Sequence, residues 1–311
     1  MQHPNKTTPP DKDLFFKSTD ANDIKLGQLV SSNQNYYAKC KVVLLGCPQD
    51  EGVRRNNGRP GAAKAPDRIR ECLYKFTAPD GLKAGEIFDA GNTLVGRTLE
   101  ETHDTHESIV AQFIKDNKRV IVLGGGNDIS YPDCKALSKT TKKFIALNVD
   151  SHFDVRENKQ RNSGTPYRQL LEERILEPTL FYELASQPFV NSEKYRQYLG
   201  GKKVPILTLA QLRKKGLDKT IMSILKSKKA PAIFWGIDMD SVRSSDAPGV
   251  SASYPTGLTA EEILSIATIA GKNKRSRILE ITEVNPIYDI DNRTCKLAAL
   301  VVYNFLKGAV G

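Results

Sequence analysis

Asp150, His152 and Asp154 form a D-x-H-x-D pattern within five residues, and Asp238 and Asp240 form a D-x-D farther along. Carboxylates and an imidazole at this spacing are metal ligands by type. Burying two carboxylates and an imidazole without a cation would cost on the order of several kcal/mol in desolvation. In an extended segment Asp238 and Asp240 would also point the same way. The two motifs supply four carboxylates and one imidazole. That oxygen-rich set suits Mn2+ or Mg2+ better than structural zinc, which favours Cys. Four carboxylates exceed what one dication needs, so a two-metal site is expected. A lone D-x-D would read as a helix cap; two motifs, each behind a buried strand, do not.

The elements that must position these residues are legible as apolar runs. Phe144-Ile145-Ala146-Leu147 leads into Asp150, and Ile233-Phe234-Trp235 leads into Asp238. Strands are expected over 41–46, 86–90, 119–124, 144–150, 179–184, 204–209, 232–238 and 277–281. These runs are continuous rather than alternating, which suits strands covered on both faces. Between them lie helix signals. Thr98–Glu101 and Thr259–Glu262 both read T-x-x-E, the capping box, and Pro66 stands just inside a segment with Ile69, Leu73 and Phe76 on one face. Alternation over residues 41–311 implies one α/β domain with a mainly parallel sheet, preceded by a polar extension over 1–40. Ligands of such sheets bind at the carboxyl ends of the strands. Four of those ends are polar: Gly124-Gly125-Gly126-Asn127-Asp128, Asp150 to Asp154, Gly236 to Asp240, and Glu283-Val284-Asn285-Pro286.

Composition narrows the function classes. No apolar stretch reaches the roughly 20 residues of a membrane helix, and the first 40 residues lack the apolar core of a secretory signal. A cytoplasmic protein with no membrane partner is expected. Five cysteines without C-x-x-C pairing fit a reducing compartment, with Cys47 a packed thiol. The net charge is +10, but the lysine runs at 142–143, 226–229 and 272–277 fall between apolar segments as solvated helix ends. Nucleic acid would want basic and aromatic residues clustered on one surface, so no nucleic-acid partner is expected. A positive field would instead favour a small anionic substrate. A homo-oligomer is compatible with the sequence, which does not set its order.

The motifs, in order, are Gly124-Gly125-Gly126-Asn127, Asp150-Ser151-His152-Phe153-Asp154, Ser163-Gly164-Thr165-Pro166, Asp238-Met239-Asp240 with Ala247 to Ser251, Gly257-Leu258-Thr259 and Glu283 to Pro286. In this order the chain resembles the arginase/agmatinase superfamily of ureohydrolases, most closely its formimidoylglutamase branch. The resemblance implies a three-layer α/β/α fold with a parallel, eight-stranded sheet and a binuclear Mn2+ centre. One ion is then held at Asn127, Asp150, Asp154 and Asp238, the other at Asp150, His152, Asp238 and Asp240, with Asp150 and Asp238 bridging. It also implies a metal-activated hydroxide attacking an amidine or guanidine carbon, Asp240 or Asp154 handling the proton, and Glu283 holding the cationic group. Ser163 falls among the implied substrate contacts.

Two departures matter. The family's first ligand is a His where this chain has Asn127, a neutral oxygen donor that Mn2+ prefers less than imidazole. Arginases also carry a His where this chain has Tyr167, so arginine hydrolysis is not expected. His103 and His106 lie within the helix of 98–118 and are expected at the surface or at a cap, not as substitutes.

Basic groups set the substrate. Arg156 follows the D-x-H-x-D motif, and the resemblance implies that it contacts substrate carboxylates. Arg54 and Arg55, in a Gly- and Arg-rich loop expected over 52–61, emerge at the same sheet edge as further carboxylate anchors or as structural arginines. The expected reaction is hydrolysis of N-formimino-L-glutamate to glutamate and formamide, as in histidine degradation. A metal-poor relative with weak catalysis, or a hydrolase of another anionic guanidino or amidino compound, stays open.

Overall fold

The computed structural model describes residues 6–310. Nine strands form one sheet: β1 (Thr7–Thr8), β2 (Val42–Gly46), β3 (Ile87–Thr93), β4 (Arg119–Leu123), β5 (Ile145–Val149), β6 (Phe181–Ser186), β7 (Ile206–Thr208), β8 (Ile233–Asp238) and β9 (Ser276–Thr282). Their order is β1-β3-β2-β4-β9-β8-β5-β6-β7. All eight expected strands are present and pair in parallel.

Why the strands were continuous apolar runs is visible in their burial. Every residue of β2, β5, β6 and β8 is buried. Alternate side chains feed two separate cores: Ile145, Leu147 and Val149 join one, and Ala146 joins the other. The first core packs against the helices Ala65–Leu73, Ala260–Lys272 and Arg293–Val310. The second packs against Leu99–Lys115, Ser130–Ser138 and Pro166–Glu172. The fold is therefore an α/β/α sandwich, as expected.

The N-terminal stretch is more than an appended polar segment. Thr7 and Thr8 pair antiparallel with Thr93 and Asn92 of β3, adding a ninth strand, and Leu26 and Val30 are buried in the first core. Residues 1–5 of the expected extension lie outside the described residues. Thr259 and Glu262 make the full reciprocal capping box. Thr98 caps its helix through Glu101 N–H, but Glu101 accepts from Arg97 N–H, one residue earlier than the box requires. No helix among the described residues is long and apolar enough to cross a membrane.

Candidate active site

Strands β4, β9, β8 and β5 are consecutive neighbours at the middle of the sheet, and their carboxyl ends carry all the metal-ligand candidates. Register sets the rest. Val149 pairs with Ile237, so Asp150 and Asp238, each one residue farther on, stand side by side. Asp238 pairs with Thr282, which brings Glu283 alongside.

Both motifs then turn in the same way. Asp150 Oδ1 accepts from His152 N–H at 2.7 Å, and Asp238 Oδ1 accepts from Asp240 N–H at 2.8 Å. These are Asx turns, in which a carboxylate closes a turn on the backbone two residues ahead. The expectation that Asp238-Met239-Asp240 is extended is thus corrected: residues Met239–Ser241 form a 3-10 turn. The turn still delivers Asp240 to the site, where its Oδ2 lies 3.1 Å from His152 Nδ1.

The ligand atoms converge in two overlapping groups, Asp150-His152-Asp240 and Asp150-Asp154-Asp238, with atoms within 4.8 Å of one another in each. Asp150 belongs to both, and Asp238 to one. Burial pushes the Asp150 carboxyl well above the usual carboxylate range, with Asp154 and Asp240 adding to the shift. Burial and the Asp240, Asp150 and Glu283 charges do the same to Asp238. Asp154 is pushed up to about 6, by burial first, with His152 and Asn127 opposing. Asp240 Oδ1 is buried and has no hydrogen-bond partner among the described residues. Surplus negative charge, raised carboxyl pKa values and an orphan oxygen are what a site shaped for cations presents. The residues fit a metal centre.

Asn127 reaches this centre with its nitrogen forward. Its Nδ2 donates to Asp154 Oδ2 at 2.6 Å and to Asp150 Oδ2 at 3.3 Å. Its Oδ1 faces away, accepting from Ser130 and Thr282 hydroxyls. The turn before it is tight: a Cβ on Gly125 would lie 1.6 Å from the Gln49 carbonyl oxygen, so no side chain fits there. Asp154 and Glu283 adopt left-handed backbone, φ 46° and 61°, a conformation non-glycine residues hold only when their surroundings impose it. Glu283 Oε1 accepts from Asn127 N–H at 3.0 Å.

Above the centre opens a cavity of about 470 Å³. His152, Asp154, Asp238, Asp240 and Glu283 form its floor side, and Asn56, Arg59, Arg156, Ser163, Tyr195 and Tyr254 stand among its other walls. Arg156 is exposed and makes no ion pair among the described residues; its aliphatic stem crosses Gly164, where a Cβ would lie 2.6 Å from Arg156 Cδ. Ser163 Oγ accepts from Asn56 Nδ2 at 3.0 Å.

Arg54 and Arg55 are not among the lining residues. The stretch after β2 winds into a helix, Glu51–Arg55, rather than a loop, and Glu51 pairs with both arginines at helical spacing. Arg55 is further tied to Glu100 at 2.7 Å. Their placement is that of structural ion pairs. Arg59, from the same sequence stretch, reaches the cavity instead. It donates to the Val250 and Ser251 carbonyls and stacks over Tyr288, 4.3 Å from its centroid.

The two helix histidines are neither at the surface nor at a cap. His103 and His106 are buried, with Nε2 atoms 2.7 Å from Asp128 and 3.0 Å from Asp133. They share a helical face with Leu99, Val110 and Phe113, which is the signal that could have placed them inside. Sequence reasoning also passed over Asn191, whose side chain binds Phe153 N–H and the Ser151 carbonyl and so fixes the D-x-H-x-D segment. Nothing in its local sequence marks it.

Residues 40–307 match the arginase family. The formimidoylglutamase of Staphylococcus aureus (strain bovine RF122 / ET3-1) is 34% identical over 273 residues, 86% of each chain. The structure of Trypanosoma cruzi formiminoglutamase with Mn2+2 superposes with a TM-score of 0.86 at 32% identity, over 93% of this chain and 99% of that one. Bacillus subtilis formimidoylglutamase superposes with a TM-score of 0.87 at 29% identity, over 94% of each.

Proposed function

The chain belongs to the arginase family, and on that premise we propose that it is a Mn2+-dependent formimidoylglutamase, hydrolysing N-formimino-L-glutamate to L-glutamate and formamide. One observation carries the substrate reading: Arg156, exposed and in no ion pair among the described residues, borders the cavity that opens on the doubled ligand cluster. Arg156 binds a carboxylate of the substrate, where agmatine, a cation, would be repelled. Arg59, held rigid by two carbonyls and Tyr288, presents a second positive wall.

Asp150, Asp154 and Asp238 would hold one ion and Asp150, His152, Asp238 and Asp240 the other. When bound, the pair supplies Lewis-acid activation of water. The chain's own groups do the rest. Glu283, whose Oε1 accepts the Asn127 N–H, has its other oxygen to orient the amidinium. Asp240 or Asp154 takes the proton of the attacking water and returns it to the departing glutamate nitrogen as the C–N bond breaks.

A second reading, weakened catalysis, is favoured by one feature: Asn127 turns nitrogen rather than oxygen toward Asp154. Assays of formamide release from formiminoglutamate and of urea release from arginine and agmatine, with and without Mn2+, separate the two. Release from formiminoglutamate that requires Mn2+ is expected. Protein that holds no Mn2+ in excess of the ion and stays inert on all three would favour the second reading.

A further inference from the structure

Two hydroxyls stand behind the Asn127 carboxamide, and each has another acceptor in reach. Ser130 Oγ lies 3.1 Å from Asn127 Oδ1 and 2.6 Å from Glu280 Oε1. Thr282 Oγ1 lies 3.1 Å from Asn127 Oδ1 and 3.5 Å from the Ile237 carbonyl. A hydroxyl has one proton and two lone pairs. As the amide stands, both hydroxyls can offer their protons to Oδ1. After a half rotation they must accept from Nδ2 instead. Each can do so only if its own proton has somewhere else to go, and Ile237 O and Glu280 Oε1 are those places.

We propose that Glu280, acting through Ser130, is a positioning residue that allows Asn127 to turn either its nitrogen or its oxygen toward Asp150 and Asp154. The inference rests on reading those carboxylates as a metal centre. With nitrogen inward the amide stands in for a cation; with oxygen inward it becomes a ligand. Glu280 is fully buried on β9, and its Oε2 has no hydrogen-bond partner among the described residues. Asp133 Oδ2 is unpartnered as well. Burial, then Asp133, push the Glu280 carboxyl well above the usual range. A proton kept on Oε2, toward Asp133, leaves Oε1 free to accept from Ser130. The Tyr167 hydroxyl, 3.1 Å from Ser130 Oγ, donates to that hydroxyl from behind. A buried carboxyl that only filled space would be better replaced by an apolar side chain.

The test is a double-mutant cycle read by Mn2+ binding to metal-depleted full-length protein, with free Mn2+ followed by electron paramagnetic resonance. Glu280→Met removes the acceptor while keeping the shape, so the Ser130 proton stays on Asn127 Oδ1. Binding of the more weakly held ion is expected to fall about tenfold, the equivalent of one hydrogen bond. Glu280→Gln keeps a carbonyl and should stay within about threefold of the unaltered protein. Asn127→Asp presents oxygen from either end, so in that background Glu280→Met should cost less than about twofold. Equal losses in both backgrounds overturn the proposal and leave the metal reading standing; unaltered protein that binds no Mn2+ overturns both. If Glu280→Met does not fold, the Mn2+-loaded structure of the unaltered protein decides. Asn127 is expected there with Oδ1 toward an ion, and an Asn127 amide still donating to Asp154 overturns the proposal.

Discussion

The molecule buries two groups of acidic and histidine side chains, and they differ in how charge is matched. Behind the sheet edge, His103 meets Asp128 and His106 meets Asp133, one imidazole to each carboxylate, within the second core. At the strand ends, Asp150, Asp154, Asp238, Asp240 and Glu283 share a single imidazole, His152, and all of these carboxylates but Asp150 line a cavity. The rear group sets an imidazole against each of these two carboxylates and is closed to solvent. The front group has surplus negative charge and an opening. Residue type alone does not distinguish a metal centre from a structural polar cluster; missing internal counter-charge beside open space does.

The contrast can be broken first at Asp150, which both ligand groups share. Asp150→Asn should lower Mn2+ binding and formamide release by about a thousandfold, the scale of several kcal/mol of lost metal assistance. Binding that survives would mean the front group is no more a cation site than the rear one. At the rear, His103→Leu should leave Mn2+ affinity within about threefold but cost about 2–3 kcal/mol of stability, because Asp128 stays buried without its imidazole. Denaturant titration and Mn2+ binding on the same sample would show whether the two groups are separable.

Arg156→Ala sharpens the contrast at the cavity rim. Its KM for formiminoglutamate should rise about 10- to 100-fold, as for a lost charged hydrogen bond, with little change for an uncharged amidine. Arg54→Ala should change KM less than about twofold, because its ion pairs are exposed and away from the cavity. Equal increases in KM for charged and uncharged amidines would remove Arg156 from the carboxylate role.

The smallest expected effect is in pH. Asp154 titrates at about 6 in the folded, metal-free protein and at about 3.9 in unfolded chains. Its raised pKa favours the folded state below the unfolded value, and that contribution is lost as pH rises through about 6. Cations replace the missing protons, so the rise in Tm on adding Mn2+ should be larger at about pH 8 than at about pH 5. A Tm increment that does not change with pH would argue against proton–metal exchange at the front group.

The sheet was legible because a strand covered on both faces is mostly apolar, and the eight runs were, although Asp89, Glu183 and Glu280 lie buried within three of them. β1 was not, because Thr7 and Thr8 carry no such run; only their pairing with β3 makes them a strand. The ligand residues were legible by type and spacing, while their turns were not. Asp238-Met239-Asp240 bends because the Asp238 carboxylate captures the Asp240 N–H, an attraction that alternation patterns ignore. Arg54 and Arg55 were read into a loop because glycines surround them, yet Glu51 supplied the helical partner for both. Arg59 needed the fold, since only the approach of Val250, Ser251 and Tyr288 aims it at the cavity.

The two-residue strand at the sheet margin bears on how the protein behaves when concentrated. Without Thr7 and Thr8, the outer side of Asn92 and Thr93 would present bare amide and carbonyl groups to any passing chain. Such margins template edge-to-edge aggregation. The Lys6 carbonyl lengthens the cover by accepting from Leu94 N–H. Trimming the chain past Thr8 would leave the chemistry at the strand ends in place and cost the protein its colloidal protection.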